Sequence, residues 1–407
     1  MMRKILKSII FLLCLIFLSG CSEENNKSSN GTGLRTEVTG ESLYDEGQDD
    51  DDHQVDYIDI NENEKQEISD RISDFGVLCR DIYISADKGA ASNIVLEEET
   101  VHAMAEAAAS RGWPVTCGGY DYNMLNYEAV DLALRRARDG DDAETEFYQV
   151  TGSGYFRYFK LCSENSELTV TYANASYNDD MELQIRQLEK FIVHDWEYTE
   201  KGWLIWEKAL SRNQEMDMHS FFRILPLDEK CRELGNKYIL PVSYFCNNLF
   251  LTDWDVGSMD QIEFNDLYEF LYEIKYREKL DEEASLNGIP KEQFEDVIQT
   301  FFEIPSETLE VYARYEAEDR VYPWEPIRAR NRMPQFQPFP EVVKCVENAD
   351  GTWTLYVEGI TIVEGDDCTF KHTVTMKEKN GSWVYLGNDV DEEGSDNIPA
   401  YRPRREF

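Results

Sequence analysis

The chain opens with Arg3, Lys4 and Lys7, followed by an uncharged apolar run over 9–18 that stops at Leu18-Ser19-Gly20-Cys21. Such a run is too short to cross a bilayer. A basic start, a brief apolar core and small residues before a cysteine instead suit an export signal with a lipidation site. The pattern predicts a signal peptide over 1–20, cut before Cys21, whose thiol carries a diacylglycerol. Cys14 follows Leu13 and lacks the small residues that such a site requires. Over 21–62 the apolar periodicity vanishes and Ser, Asn, Gly, Asp and Glu dominate, so this stretch reads as a flexible acidic tether. Asp49-Asp50-Asp51-Asp52-His53 within it reads as solvated charge rather than a cation site.

Across 63–220 the period is first 3.6 residues and then 2. Ile68, Ile72, Phe75 and Cys79 share one helical face, and Val101, Met104, Ala105 and Ala108 share another before Gly112. A third helix is expected over 127–138, capped by Asn126, striped by Val130, Leu134 and Ala137, and stopped by Gly140. Aromatic and β-branched stretches over 147–150, 155–162, 168–172 and 190–198 then predict antiparallel strands. Lys201-Gly202 is placed to turn a hairpin between Trp196 and Trp206.

The order repeats after a connecting segment over 221–260. Within 261–388, Phe264, Leu267, Tyr268, Leu271 and Ile274 form a stripe, and Pro290 precedes a second stripe of Phe294, Val297, Ile298 and Phe301. Ser306 is placed to cap a third helix bearing Leu309 and Tyr312. A Pro-rich crossing over 323–340 leads to strands over 341–346, 352–357, 369–377 and 383–386, turned at Asp350-Gly351 and Asn380-Gly381. Residues 389–407 read as a tail. The expected class is therefore α+β: two modules, each of helices followed by an antiparallel β-meander, in an element order like that of ketosteroid-isomerase-like cones. The repeated order suggests a duplication, in which Lys201-Gly202-Trp203 corresponds loosely to Gly381-Ser382-Trp383.

Several stretches carry a closer likeness: Asp195-Trp196-Glu197-Tyr198-Thr199-Glu200-Lys201-Gly202, Ile239-Leu240-Pro241-Val242, 248–255 and 262–267. Over 70–388 the chain resembles an uncharacterised lipoprotein family, a domain of unknown function, of Gram-positive gut anaerobes. The resemblance implies an envelope location and supplies no functional residue.

Composition narrows the partners. A formal net charge of −41 repels nucleic acid and favours cations or a basic protein partner. Besides Cys21, the chain after the signal holds Cys79, Cys117, Cys162, Cys231, Cys246, Cys345 and Cys368, at spacings that match no zinc template. Their odd number excludes a fully bridged framework. A Cys345–Cys368 disulfide is expected, on condition that their strands are neighbours, which a simple meander does not provide.

No phosphate loop, zinc helix or nucleophile elbow appears, so no catalytic residue, metal or cofactor is assigned. His194 and His372 each lie on an apolar strand pattern before the last hairpin of a module, the pattern of a core histidine or of a pocket lined by one histidine per module. Trp254 stands among Asp253, Asp255 and Asp260, an arrangement suited to stacking on sugar. Asp217 and His219 form a further acid–base candidate. Asp389, Asp391 and Glu393 begin like a calcium loop, but Ala400 stands where its bidentate Glu would be. His102 receives no role. The leading expectation is a lipid-anchored extracytoplasmic module that binds a ligand or a cell-envelope partner. The alternatives are a carboxylate-dependent cell-wall or glycan hydrolase and an importer's solute-binding protein. The latter needs βαβ units, where this chain shows hairpins.

Overall fold

The computed structural model describes residues 55–89, 94–119, 122–209, 219–327 and 337–405. The signal, Cys21, the Asp49–His53 run and Asp217 lie outside the described residues. The end of the expected tether is already part of the fold. A two-residue edge strand, β1 (Asp56–Tyr57), pairs with Phe191 and Ile192. Helix α1 (Glu62–Ser85) starts from a capping box: the Asn61 side chain accepts from the Asn63 and Glu64 N–H groups, and Glu64 accepts from the Asn61 N–H. It buries the predicted Ile68, Ile72, Phe75 and Cys79, with Tyr83 added. At Gly76 a Cβ would lie 2.8 Å from Leu183, so glycine lets α1 approach the sheet.

Helix α2 (Glu98–Ala109) buries its predicted face and leads to a short strand, β2 (Val115–Cys117), whose three residues are too few to show a period. Asn126 does not cap α3 (Glu128–Arg138). Its backbone is left-handed, and its amide donates to the Ala109 and Trp113 carbonyls, tying the helix start to α2 instead. Strands β3 (Ala143–Val150), β4 (Tyr155–Glu164), β5 (Glu167–Tyr177) and β6 (Leu183–Ile192) complete a six-stranded sheet ordered β1-β6-β5-β4-β3-β2, antiparallel except for the β2–β3 pair.

The predicted strand over 190–198 breaks in two. Val193 N–H bonds the Leu168 carbonyl of the first sheet, and His194 N–H bonds the Glu207 carbonyl of the next, so the chain changes sheets between them. Strands β7 (Asp195–Tyr198), β8 (Trp203–Glu207) and β9 (His219–Arg223) form a separate three-stranded sheet. That sheet and α3 fill one face of the six-stranded sheet through Leu134, Phe147, Phe159, Tyr198, Trp206 and Phe222. Helices α1 and α2 fill the other. The first module therefore has no open cone.

The expected connector is core. Helix α4 (Glu229–Leu234), capped by Asp228, and a π-helical turn (Gly235–Ile239) supply Cys231, Leu234, Tyr238 and Ile239 to the second core, joined by Tyr244, Phe250 and Trp254. Irregular backbone can be buried here because Asn247 bonds the Val242 and Phe245 carbonyls and the Leu249 N–H. Next come β10 (Trp254–Asp255), α5 (Phe264–Tyr276), α6 (Glu282–Ser285), β11 (Ile289–Pro290), α7 (Lys291–Phe301), α8 (Ser306–Tyr312) and β12 (Val321–Tyr322). Ser306 is the first residue of α8, not its cap, and its hydroxyl donates to Glu295.

Strands β13 (Phe339–Glu347), β14 (Trp353–Thr361), β15 (Asp366–Lys379) and β16 (Ser382–Val390) form a meander, extended by β10 to the order β10-β16-β15-β14-β13. The fold is thus mixed α+β, with helices preceding antiparallel meanders. The two halves differ at the compared hairpins: Lys201-Gly202 turns within the separate sheet, whereas Asn380-Gly381 turns within the main meander. The tail returns to α5, where Tyr401 and Arg404 bind Asp266. Among the described residues no helix is long and apolar enough to cross a membrane.

Candidate functional site at the seam between the modules

Strand β8 reads Trp203-Leu204-Ile205-Trp206-Glu207, and every residue is buried because each face has a partner. Leu204 and Trp206 enter the first module's core. Trp203 and Ile205 face the other way, onto Phe221, Ile360 and Phe339. These residues join the first module to the outer face of the second module's sheet.

The chemistry of the seam follows from register. Glu341 on β13 and Glu358 on β14 stand directly opposite one another, a like-charge pair that a sheet disfavours. The first module supplies a cation to each. Arg223 brings Nε within 3.5 Å of Glu341 Oε1 and lays its guanidinium over the Trp203 ring at 5.4 Å. Lys201 lies 2.7 Å from Glu358 Oε2 and 3.3 Å from Asp367 Oδ1. Trp203, 0% exposed, donates through Nε1 to Glu341 Oε2 at 3.3 Å. Burial pushes the Glu341 carboxyl above the usual range against the pull of Arg223 and Arg232, and the charge of Glu358 adds to the push. Burial works against the Lys201 charge, but hydrogen bonding to Glu358 and the charges of Glu358 and Asp367 outweigh it and hold the ammonium above its ordinary value.

A cleft beside Glu341, lined by Leu227, Cys231, Arg232, Leu240, Pro340 and Val342, has a volume of about 20 Å³. That is room for a water molecule, not a metabolite. Among the described residues the first module covers one end of the outer face. Beyond it Lys344, Tyr356 and Thr373 form a cross-strand row, with Thr354 and Thr375 in the next. Tyr356 is exposed, and Lys344 Nζ sits 5.1 Å over its ring. This open end offers hydroxyls, an aromatic ring and an ammonium to a flat partner.

The residues singled out by sequence do not gather here. His372, 1% exposed, bonds Asn388 Oδ1 through Nδ1 at 2.7 Å and Tyr244 Oη through Nε2 at 3.0 Å. The Asn388 amide donates to the Thr252 carbonyl, so its Oδ1 must accept, which places the imidazole proton on Nδ1. Burial pushes His372 down to about 4, which makes it a neutral core residue. His194 is exposed at the sheet change, so the two histidines line no common pocket. Trp254 is buried, donates to the Leu249 carbonyl at 2.8 Å and packs on Phe302. Asp253 accepts from the Val390 N–H, and Asp255 closes a turn through Gly257 and Ser258, so neither flanks an open ring.

His219 Nδ1 meets the Val363 carbonyl at 3.1 Å, which makes it part of the seam. His102 is half-buried beside Tyr122. Cys345 and Cys368 are free thiols on β13 and β15. Strand β14 lies between their strands, so the expected bridge lacks the strand order it needs. Among the described residues no cluster of side chains could hold a metal ion. Sequence reasoning missed Lys201, Arg223, Glu341 and Glu358. One signal was present: Glu341 stands in a strand beside the apolar Val342 and Val343.

A family profile matches residues 65–404. The chain belongs to the family of unknown function DUF6070. The matched span takes in both modules, the seam and the Arg404 contact, while Cys21 precedes it. No curated protein and no solved structure matches the chain.

Proposed function

We propose that this DUF6070 protein is a lipoprotein held through Cys21 on the outer face of the cell membrane, where its folded body binds a partner of the cell envelope. The observation that carries the reading is the sequence of the first twenty-one residues: a basic start, a short apolar core and Leu18-Ser19-Gly20-Cys21. Lipidation would place the body outside without a spanning helix. Two features support a macromolecular partner over a small ligand. The seam cleft has room for little more than water, and the row of exposed Lys344 and Tyr356 with half-buried Thr373 suits a broad contact. The acidic balance of the chain favours a partner carrying basic charge.

Metabolic labelling with an alkyne fatty acid tests the anchor. Wild-type protein is expected to carry the label and sediment with membranes. Cys21→Ala is expected to lose both properties, and a variant that keeps the label would sink the reading.

A further inference from the structure

Two cysteines that sequence spacing does not connect come together beside the seam. Cys231 lies on α4, buried in the second core, and Cys345 lies on the inner face of β13, packed against that core. The contact between the two elements is close: at Gly235, one turn beyond Cys231, a Cβ would lie 3.3 Å from Val342 Cγ2. Across this contact the two thiols lie near enough for each to act on the other's ionisation. Two cysteines facing one another from packed elements are placed for a bridge.

We propose that Cys231 and Cys345 form a disulfide that staples α4 to β13, a bond whose presence in the cell rests on the extracytoplasmic location proposed above. The hydrogen bond from Cys345 holds the Cys231 thiol below its ordinary value even though burial pushes the other way. A thiolate is the species that attacks a disulfide. The oxidant is a disulfide-bearing compound of the export compartment. The Cys231 thiolate attacks one sulfur of the oxidant, forms a mixed disulfide and releases the first thiol. Cys345 then gives up its proton, displaces the second thiol and closes the Cys231–Cys345 bond. Two protons and two electrons leave the protein, and one oxidant disulfide becomes two thiols.

The bond would close a loop of more than a hundred residues, which restricts the unfolded chain strongly. It would also fix both walls of the seam cleft, since Cys231 and Val342 line it. Two other cysteines fit the scheme. Cys79 is buried, and burial pushes its thiol up to about 12, which keeps it unreactive. Cys368 stands across β14 from Cys345, out of reach.

The test is oxidation of the purified full-length protein, in detergent, with oxidised glutathione, followed by thiol counting and non-reducing peptide mapping. The expected result is the loss of two thiols per chain and a single cross-link between the Cys231 and Cys345 peptides. That cross-link should persist in Cys368→Ser and vanish in Cys345→Ser. Oxidation is expected to raise Tm by on the order of 5–10 °C in the wild type and not in Cys345→Ser. Stable glutathione adducts, a different cross-link, or an unchanged thiol count would overturn the proposal. Because oxidation in vitro requires no export, such a failure is distinct from a failed lipidation test. Alkylation of protein taken directly from cells then reads whether the bond exists there.

Discussion

Two buried arginine–carboxylate contacts hold this molecule together, and they are built differently. Arg404, 6% exposed, is met from every side: Nη2 donates to the Asp266 carbonyl at 2.5 Å, Nη1 donates to the Glu325 carbonyl at 3.1 Å, and Nη1 also pairs with Glu269. Asp266 in turn accepts from the Arg404 N–H and the Tyr401 hydroxyl. Arg223 and Glu341 at the seam are as deeply buried, yet Arg223 Nε and Glu341 Oε1 face each other without a hydrogen bond. A buried charge is tolerated in proportion to how completely its donors and acceptors are used. The clasp at Arg404 therefore closes the second module, while the seam is the weaker joint, held in part by Trp203, Ile205, Phe221 and Ile360.

The sharpest way to break this contrast is at Arg404. Arg404→Ala strands Asp266 and Glu269, both already pushed up by burial with Arg404 pulling them back, and should cost about 4–5 kcal/mol in urea unfolding. A loss below about 1 kcal/mol would show that the tail is not part of the core.

Acid should separate the clasp from the rest of the second module. His372 is held at about 4, below its unfolded value, so the unfolded chain binds the proton first. Its contribution is complete above pH 6.5 and is lost as the pH falls through about 4, on the order of 3 kcal/mol in all. Glu273, one turn beyond Glu269 on α5, has the opposite sign. Burial and then the Glu269 charge push it up to about 7, so the folded state binds the proton first and acidification from 7 towards 4.5 adds stability. Between pH 7 and pH 5 the stability of His372→Gln should therefore rise relative to the wild type, and that of Glu273→Gln should fall relative to it. Identical pH profiles for the two variants would refute both assignments.

At the seam the expected loss is smaller. Glu341→Gln keeps the shape and removes the charge opposite Arg223, at a cost of about 2 kcal/mol. Arg223→Met with Glu341→Leu should recover most of that, because an under-bonded ion pair is replaceable by apolar packing. If the double variant is less stable than Glu341→Gln, the pair is better satisfied than its geometry indicates. The smallest effect belongs to the open end of the sheet. Tyr356→Ala should change unfolding by less than about 0.5 kcal/mol, since its ring is exposed beside the Lys344 ammonium.

The local pattern was legible. Ile68, Ile72, Phe75 and Cys79 mark the buried face of α1, the stripe beginning at Phe264 marks α5, and Lys201-Gly202 and Asn380-Gly381 mark hairpins. Each of those signals lies within about a dozen residues, the range over which helix and strand periods impose themselves. The candidate site was not legible. Lys201, Arg223, Glu341 and Glu358 are separated by long stretches of chain, and singly each looks like a surface charge. The connector over 221–260 hid its role for a related reason: buried irregular chain has no period, and the side chains of Asn247 and Asn248 satisfy its backbone.

Read alone, the chain determined the class of fold, the order of the main helices and meander strands, and which face of those helices is apolar, because those follow from neighbours in sequence. Tertiary structure decided which charges are buried and what they meet. It joined Arg404 to Asp266, set Glu341 opposite Glu358, locked His372 between Tyr244 and Asn388, and brought Cys231 to Cys345 rather than Cys368 to Cys345. The physical reason is range. Backbone period is a local property, whereas the partner of a buried charge or thiol depends on how distant segments pack, and two residues of the same type can end in opposite surroundings.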